Sequence, residues 1–160
     1  MRYSCLKKND IVNGEGICVS FWVQGCPLHC EGCHNSAIWD FNGGKEFTPN
    51  TLKEIIEGIS ANGIQRNFSV LGGEPLCEEN AFLTALVVEE VRRHYPDIKI
   101  YVWTGYYYND LNKSDPHVMY VLNNINYLID GPYEQDKRDI TLKLRGSSNQ
   151  HIIKLEKIEK

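Results

Sequence analysis

Residues 17–33, ICVSFWVQGCPLHCEGC, carry two signals back to back. The first seven are an apolar run rich in β-branched and aromatic side chains, which reads as a strand. Behind it, Cys26, Cys30 and Cys33 stand in a C-x3-C-x2-C spacing, in a loop that also holds Gly25, Pro27 and Gly32. Three thiols this close together can wrap one compact metal centre. Iron–sulfur clusters are held by such thiolates, normally four. A set of three leaves one iron with an open position, which is what a substrate needs.

Two other centres compete at this point. A structural zinc site takes four closed ligands, and His29 or His34 could supply the fourth. Cys30-Glu31-Gly32-Cys33-His34 also matches the C-x-x-C-H attachment motif of c-type haem, although that reading leaves Cys26 unused.

Outward from the loop, strands and helices alternate. Thr48-Pro49 is a helix start, with Thr48 as N-cap, and Leu52, Ile55, Ile56 and Ile59 repeat at helical spacing. Residues 68–71 read as a second strand ending at Gly72-Gly73, and residues 78–95 as a long helix with Phe82, Leu83, Leu86, Val87 and Val91 inward. Residues 98–103 give a third strand ending at Thr104-Gly105, residues 116–123 a helix, and residues 125–129 a fourth strand ending at Asp130-Gly131. The last thirty residues are polar and less regular. This alternation predicts an α/β fold of mostly parallel strands joined by right-handed crossovers. Ligands in such folds sit at the C-terminal strand ends. The cysteine loop, the Gly72-Gly73-Glu74-Pro75 loop, Thr104-Gly105 and Asp130-Gly131 should therefore share one face.

The 160 residues suit one domain, spanning 1–160, and 42% hydrophobic with 24% charged residues is the balance of a globular protein. A net charge of -4 without a basic cluster argues against nucleic acid as the main partner. No apolar run is long enough to cross a bilayer, and the first eight residues lack the apolar core of a secretory signal. The expected compartment is the cytoplasm, where thiols stay reduced. Of the other cysteines, Cys18 reads as a small core residue, Cys5 has no partner motif, and Cys77 lies near a helix start, where a thiolate is favoured, but reads as a structural or incidental thiol. Gly72-Gly73 reads either as an ordinary turn or as a place where the backbone must come close to a ligand. Tyr106-Tyr107-Tyr108 is either contact area for a partner or helix-start packing.

The cysteine spacing after the first strand, with Gly72-Gly73-Glu74-Pro75 after the second, resembles the radical S-adenosylmethionine superfamily. Asp10-Ile11-Val12-Asn13-Gly14-Glu15-Gly16, Cys33-His34-Asn35 and Trp39-Asp40 resemble its glycyl-radical-enzyme activases. Trp103-Thr104-Gly105-Tyr106, the run from Leu128 to Tyr133 and Arg145-Gly146-Ser147-Ser148-Asn149-Gln150 resemble the branch that serves anaerobic ribonucleotide reductase. Two positions depart from the pattern. Gly32 stands where much of the superfamily has an aromatic residue, and Glu15 where relatives often have proline.

The resemblance implies a shortened, partial (β/α) barrel. It implies a [4Fe–4S] cluster on Cys26, Cys30 and Cys33. It implies S-adenosylmethionine held by backbone around Gly32, Cys33 and His34 and by Gly72, Gly73 and Glu74, with the Glu74 carboxylate on the ammonium. The protein substrate would be the large subunit of the reductase, and electrons would come from a low-potential donor such as flavodoxin or ferredoxin. Thr104, Asp130, Arg145 and Asn149 are further candidates for nucleotide or partner contact. The rival readings are an activase of another glycyl radical enzyme such as pyruvate formate-lyase, a radical enzyme acting on a free metabolite, and a zinc-binding interaction module.

Overall fold

The computed structural model describes residues 1–155. The carboxyl end of the predicted 1–160 domain therefore lies outside the described residues. Strands β1 (Arg2–Asp10) and β2 (Cys18–Val23) lead into β3 (Lys45–Glu46) and helix α1 (Pro49–Ile59). Then come β4 (Asn67–Gly72), α2 (Ala81–His94), β5 (Ile100–Trp103), α3 (Pro116–Asn124), β6 (Tyr127–Asp130) and β7 (His151–Lys154). The described strands form one open sheet in the order β3-β1-β2-β4-β5-β6-β7.

Only the central four strands are parallel. β2 pairs with β4, β4 with β5 and β5 with β6 in parallel, while β1, β3 and β7 are added antiparallel. The expectation of a mostly parallel sheet is corrected to a mixed α/β sheet with antiparallel edges. The edges hid in the sequence for a physical reason. β1 ends in Lys7, Lys8, Asn9 and Asp10, and β7 has four residues, so neither shows a buried apolar run.

The parallel strands run in chain order across the sheet, so every right-handed crossover lays its helix on the same face. Val19, Phe21 and Val23 of β2, with Phe68, Val70, Ile100, Val102 and Leu128, meet Ile55 and Ile59 of α1, Val87, Val88 and Val91 of α2, and Val118 and Val121 of α3 in one core. Phe21 and Phe68 are fully buried, each worth roughly 1.5–3 kcal/mol of transfer free energy. The other face carries Ser20, Trp22, Ser69, Tyr101, Trp103 and Tyr127 by strand alternation. It is covered in part by the 11–17 turn, where Ser69 Oγ donates to the Asn13 carbonyl, and by Leu144, whose carbonyl accepts from the Trp103 indole at 2.9 Å.

Helix α1 starts as expected. Thr48 and Thr51 cap one another's backbone N–H groups, with Pro49 at the first position. Helix α2 starts later than expected, at Ala81. Phe82 lies half exposed on its outer side, edge-on to His117, and is no core residue. The tyrosine run is packing, since Tyr106 and Tyr108 lie against the core and the Tyr107 hydroxyl accepts from Asn149.

Candidate active site

The polar loops at the C-terminal strand ends do converge. The turn after β4 is pressed backbone to backbone against the residue before Cys26. The Glu74 N–H donates to the Gly25 carbonyl at 2.8 Å, and the Gly73 N–H to Val23 at 3.0 Å. A Cβ at Gly73 would overlap the Gly25 carbonyl, so the chain needs glycine there for its own packing. Asn80, which the sequence reading passed over, braces the same junction. Its buried amide donates to the carbonyls of Gln24, Gly25 and Glu74 at 3.2, 3.2 and 3.0 Å. That use of Asn80 keeps residues 77–80 in a turn ahead of α2.

The loop after β5 joins through Glu74. This carboxylate is 1% exposed. Its Oε2 accepts from the Leu76 N–H and the Thr104 hydroxyl, both at 2.8 Å, and its Oε1 accepts from the Gly105 N–H at 2.6 Å. Burial pushes its pKa from 4.5 up to about 7, against the downward pull of those three donors. The resemblance implies a ligand's ammonium for this carboxylate; the structure shows it engaged by three protein donors. Gly105 lies directly under Leu28 of the cysteine loop, leaving no room there for a Cβ.

The cysteines share a loop that is ordered by its own backbone. The Cys33 N–H donates to the Cys30 carbonyl at 3.1 Å, and Gly25 and Cys26 donate to Ile38 and Trp39. His29 adopts φ +48, an unusual conformation for a residue with a Cβ, and stacks on Trp39 at 4.5 Å. His34 packs near the Tyr133 ring at 5.4 Å. Gly32 has φ +73 and lies beneath the Gln135 side chain.

All three thiols are half-buried. Burial pushes the Cys26 thiol up, opposed by N–H groups of Leu28 and His29, and pushes Cys30 up, opposed by the Tyr133 N–H. Cys33 Sγ accepts from the Asn35 N–H at 3.4 Å. Among the described residues no His, Cys, Asp or Glu side chains are grouped as around a single metal ion. The donor set suits an iron–sulfur cluster, whose thiolates characteristically accept backbone hydrogen bonds.

The remaining candidates separate. Thr104 belongs to the Glu74 joint. Asp130 faces the other way, accepting from the N–H groups of Tyr108 and His151 and pairing with the His151 ring at 3.0 Å. Arg145 donates to the Gln150 carbonyl, and Asn149 to Pro132 and Tyr107. Cys77 lies in the turn before α2, buried, donating to the Glu74 carbonyl at 3.2 Å, and burial pushes its thiol far up. Cys18 is fully buried, the core residue expected. Glu15 pairs with Lys99 at 2.7 Å on the surface. Among the described residues no helix is long and apolar enough to cross a membrane.

Comparison with known proteins supplies the family. The 4Fe-4S single cluster domain matches residues 12–153. The chain is 39% identical over 153 residues to the anaerobic ribonucleoside-triphosphate reductase-activating protein of Salmonella typhi, covering 95% of this chain and 97% of that protein. It is 38% identical to the protein of that name from Escherichia coli (strain K12), with the same coverage. It is 36% identical to the one from Enterobacteria phage T4, covering 95% and 93%.

Proposed function

Because this chain belongs to the family of anaerobic ribonucleoside-triphosphate reductase-activating proteins, we propose that it activates its host's anaerobic ribonucleotide reductase as a radical S-adenosylmethionine enzyme. Residues 1–160 act as one cytoplasmic domain, a shortened and unclosed (β/α) barrel of that superfamily's type. Cys26, Cys30 and Cys33 hold a [4Fe–4S] cluster. When bound, the cluster supplies one electron that splits S-adenosylmethionine into methionine and a 5′-deoxyadenosyl radical, which takes a hydrogen atom from a glycine Cα of the large subunit.

The chain's own residues bind, orient and shield. Backbone around Gly32, Cys33 and His34 meets the adenine, and the Gly72, Gly73 and Glu74 turn meets the methionine end. The Glu74 carboxyl holds that turn in shape against the loop after β5, beside the ammonium. The sheet face left without helices, where Trp22, Trp103 and Tyr127 are only half-buried, is where a loop of a protein substrate would enter. A low-potential flavodoxin or ferredoxin supplies the electron.

The observation that carries this reading is the junction itself, where a three-cysteine loop with an N–H group on the Cys33 sulfur is locked to the Gly73 turn and to Gly105. The test is anaerobic reconstitution with iron and sulfide, followed by S-adenosylmethionine and dithionite. Equal amounts of methionine and 5′-deoxyadenosine are expected, and none from protein without iron. Protein that holds stoichiometric zinc and refuses iron, or that carries its irons yet cleaves nothing, contradicts the reading.

A further inference from the structure

The Arg145-Gly146-Ser147-Ser148-Asn149-Gln150 segment takes no part in the chemistry above. It forms a seat for residues 131–137. Gln150 Nε2 donates to the Gly131 carbonyl at 2.9 Å, Asn149 Nδ2 to the Pro132 carbonyl at 2.8 Å, and the Ser148 N–H to the Lys137 carbonyl at 2.9 Å. Ser147 Oγ accepts from the Glu134 N–H at 3.2 Å. Both ends of the short helical turn Gln135–Lys137 are thereby fixed, and its first residue is presented to the cysteine loop. Gln135 lies directly on Gly32. A Cβ built at Gly32 would overlap the Gln135 Oε1 and come within 2.8 Å of its Cδ.

The groups around Gln135 are engaged with one another. Lys137 Nζ pairs with Glu134 at 3.0 Å, and the Tyr133 ring lies 5.4 Å from the His34 ring. Gln135 differs. Among the described residues its carboxamide makes no hydrogen bond, so a C=O acceptor and an N–H donor stand free side by side. Glu31, Tyr133 and Gln135 border an open cavity of about 540 Å³, within the size range of small-molecule sites. The missing side chain at Gly32 lets the amide descend to the level of the loop's backbone.

We infer that Gln135 is a specificity-determining residue for the nucleobase of S-adenosylmethionine, its carboxamide pairing with the amino group of adenine and an adjacent ring nitrogen. The inference rests on the reading above that the backbone of Gly32, Cys33 and His34 meets the adenine. Adenine presents an amino donor beside a ring-nitrogen acceptor, the complement of a carboxamide, and the two join through a pair of hydrogen bonds. A site that hydrogen-bonds a ligand group in this way turns away the analogue that lacks it. The seat supplied by Ser147, Ser148, Asn149 and Gln150 then has a function, since it holds the reading side chain at a fixed height over the loop.

The test is equilibrium dialysis of the reconstituted full chain, at equal iron content, against S-adenosylhomocysteine and against its analogue with unsubstituted purine, which lacks the amino group. Wild type should prefer the adenine compound by about tenfold. Gln135→Ala should bind S-adenosylhomocysteine about tenfold more weakly and keep little of that preference. Asp136→Ala, an exposed neighbour on the same turn, should bind as wild type does. Both substituted side chains are exposed, so the variants should fold. A Gln135→Ala protein with wild-type affinity and preference overturns the inference, as does an Asp136→Ala protein that shows the same loss. Wild type that binds neither compound overturns the placement of the adenine at the cysteine loop, and this inference with it.

Discussion

Replacing Glu74 with Gln should remove one component of the protein's pH–stability profile. The carboxyl is 1% exposed, and its pKa rises to about 7 from 4.5, chiefly through burial. A raised pKa means that the folded state favours the proton. That contribution is complete below the ordinary value of 4.5 and is lost as pH climbs through about 7. The shift corresponds to a loss of about 2–3 kcal/mol between roughly pH 5 and pH 8. Glutamine does not titrate, so wild-type stability minus Glu74→Gln stability should fall by that amount over the interval, while other titrations largely cancel. The variant also carries a pH-independent penalty. Its amide nitrogen must face either Gly105 N–H or Leu76 N–H, the two backbone donors of the site, leaving one unpaired at about 1–3 kcal/mol. Urea unfolding of cluster-free, reduced protein at four pH values measures the difference. A difference that stays level within about 0.5 kcal/mol would show that burial does not govern this carboxyl.

Other substitutions probe the remaining contacts. Single Cys26→Ala, Cys30→Ala and Cys33→Ala proteins should lose the iron–sulfur absorbance, whereas Cys5→Ala, Cys18→Ala and Cys77→Ala should retain it, as iron analysis after reconstitution will show. Asn80→Ala removes three buried hydrogen bonds, costing roughly 2–4 kcal/mol in urea unfolding. Its iron occupancy should fall as well, because the brace joins the cysteine loop to the Glu74 turn. Gly73→Ala forces a Cβ onto the Gly25 carbonyl and should cost about 3 kcal/mol or more. A Gly73→Ala protein of wild-type stability and iron content would contradict the packing described for that turn.

Much of the site was legible because its chemistry lies in local spacing. Cys26, Cys30 and Cys33 fall within one loop, and Gly72-Gly73 follows a plain apolar strand, so strand-end logic alone put these loops on one face. The edges of the sheet were not legible. β1 and β7 gain their stability from pairing with an already buried neighbour, and their own residues show little of it. The tertiary partners were hidden for the same reason. Asn80 looks like any polar residue near a helix start until its amide meets the carbonyls of Gln24 and Gly25, 56 and 55 positions away. Cys77 reads as a structural thiol, and the turn held by Asn80 sets it apart from the helix N-terminus, so that burial dominates its thiol. Glu74 was assigned by resemblance to a ligand, and only the fold shows Thr104 and Gly105 waiting for its oxygens.

We propose that this chain makes a glycyl radical on the anaerobic ribonucleotide reductase. The direct measurement is electron paramagnetic resonance of a mixture of the reconstituted protein, that reductase, S-adenosylmethionine and a reductant. A stable carbon-centred doublet is expected on the large subunit, its splitting collapsing when the subunit's glycine is deuterated at Cα. A doublet that forms on a formate-lyase-type enzyme and not on the reductase, or 5′-deoxyadenosine that forms only when a free metabolite is added, would contradict it.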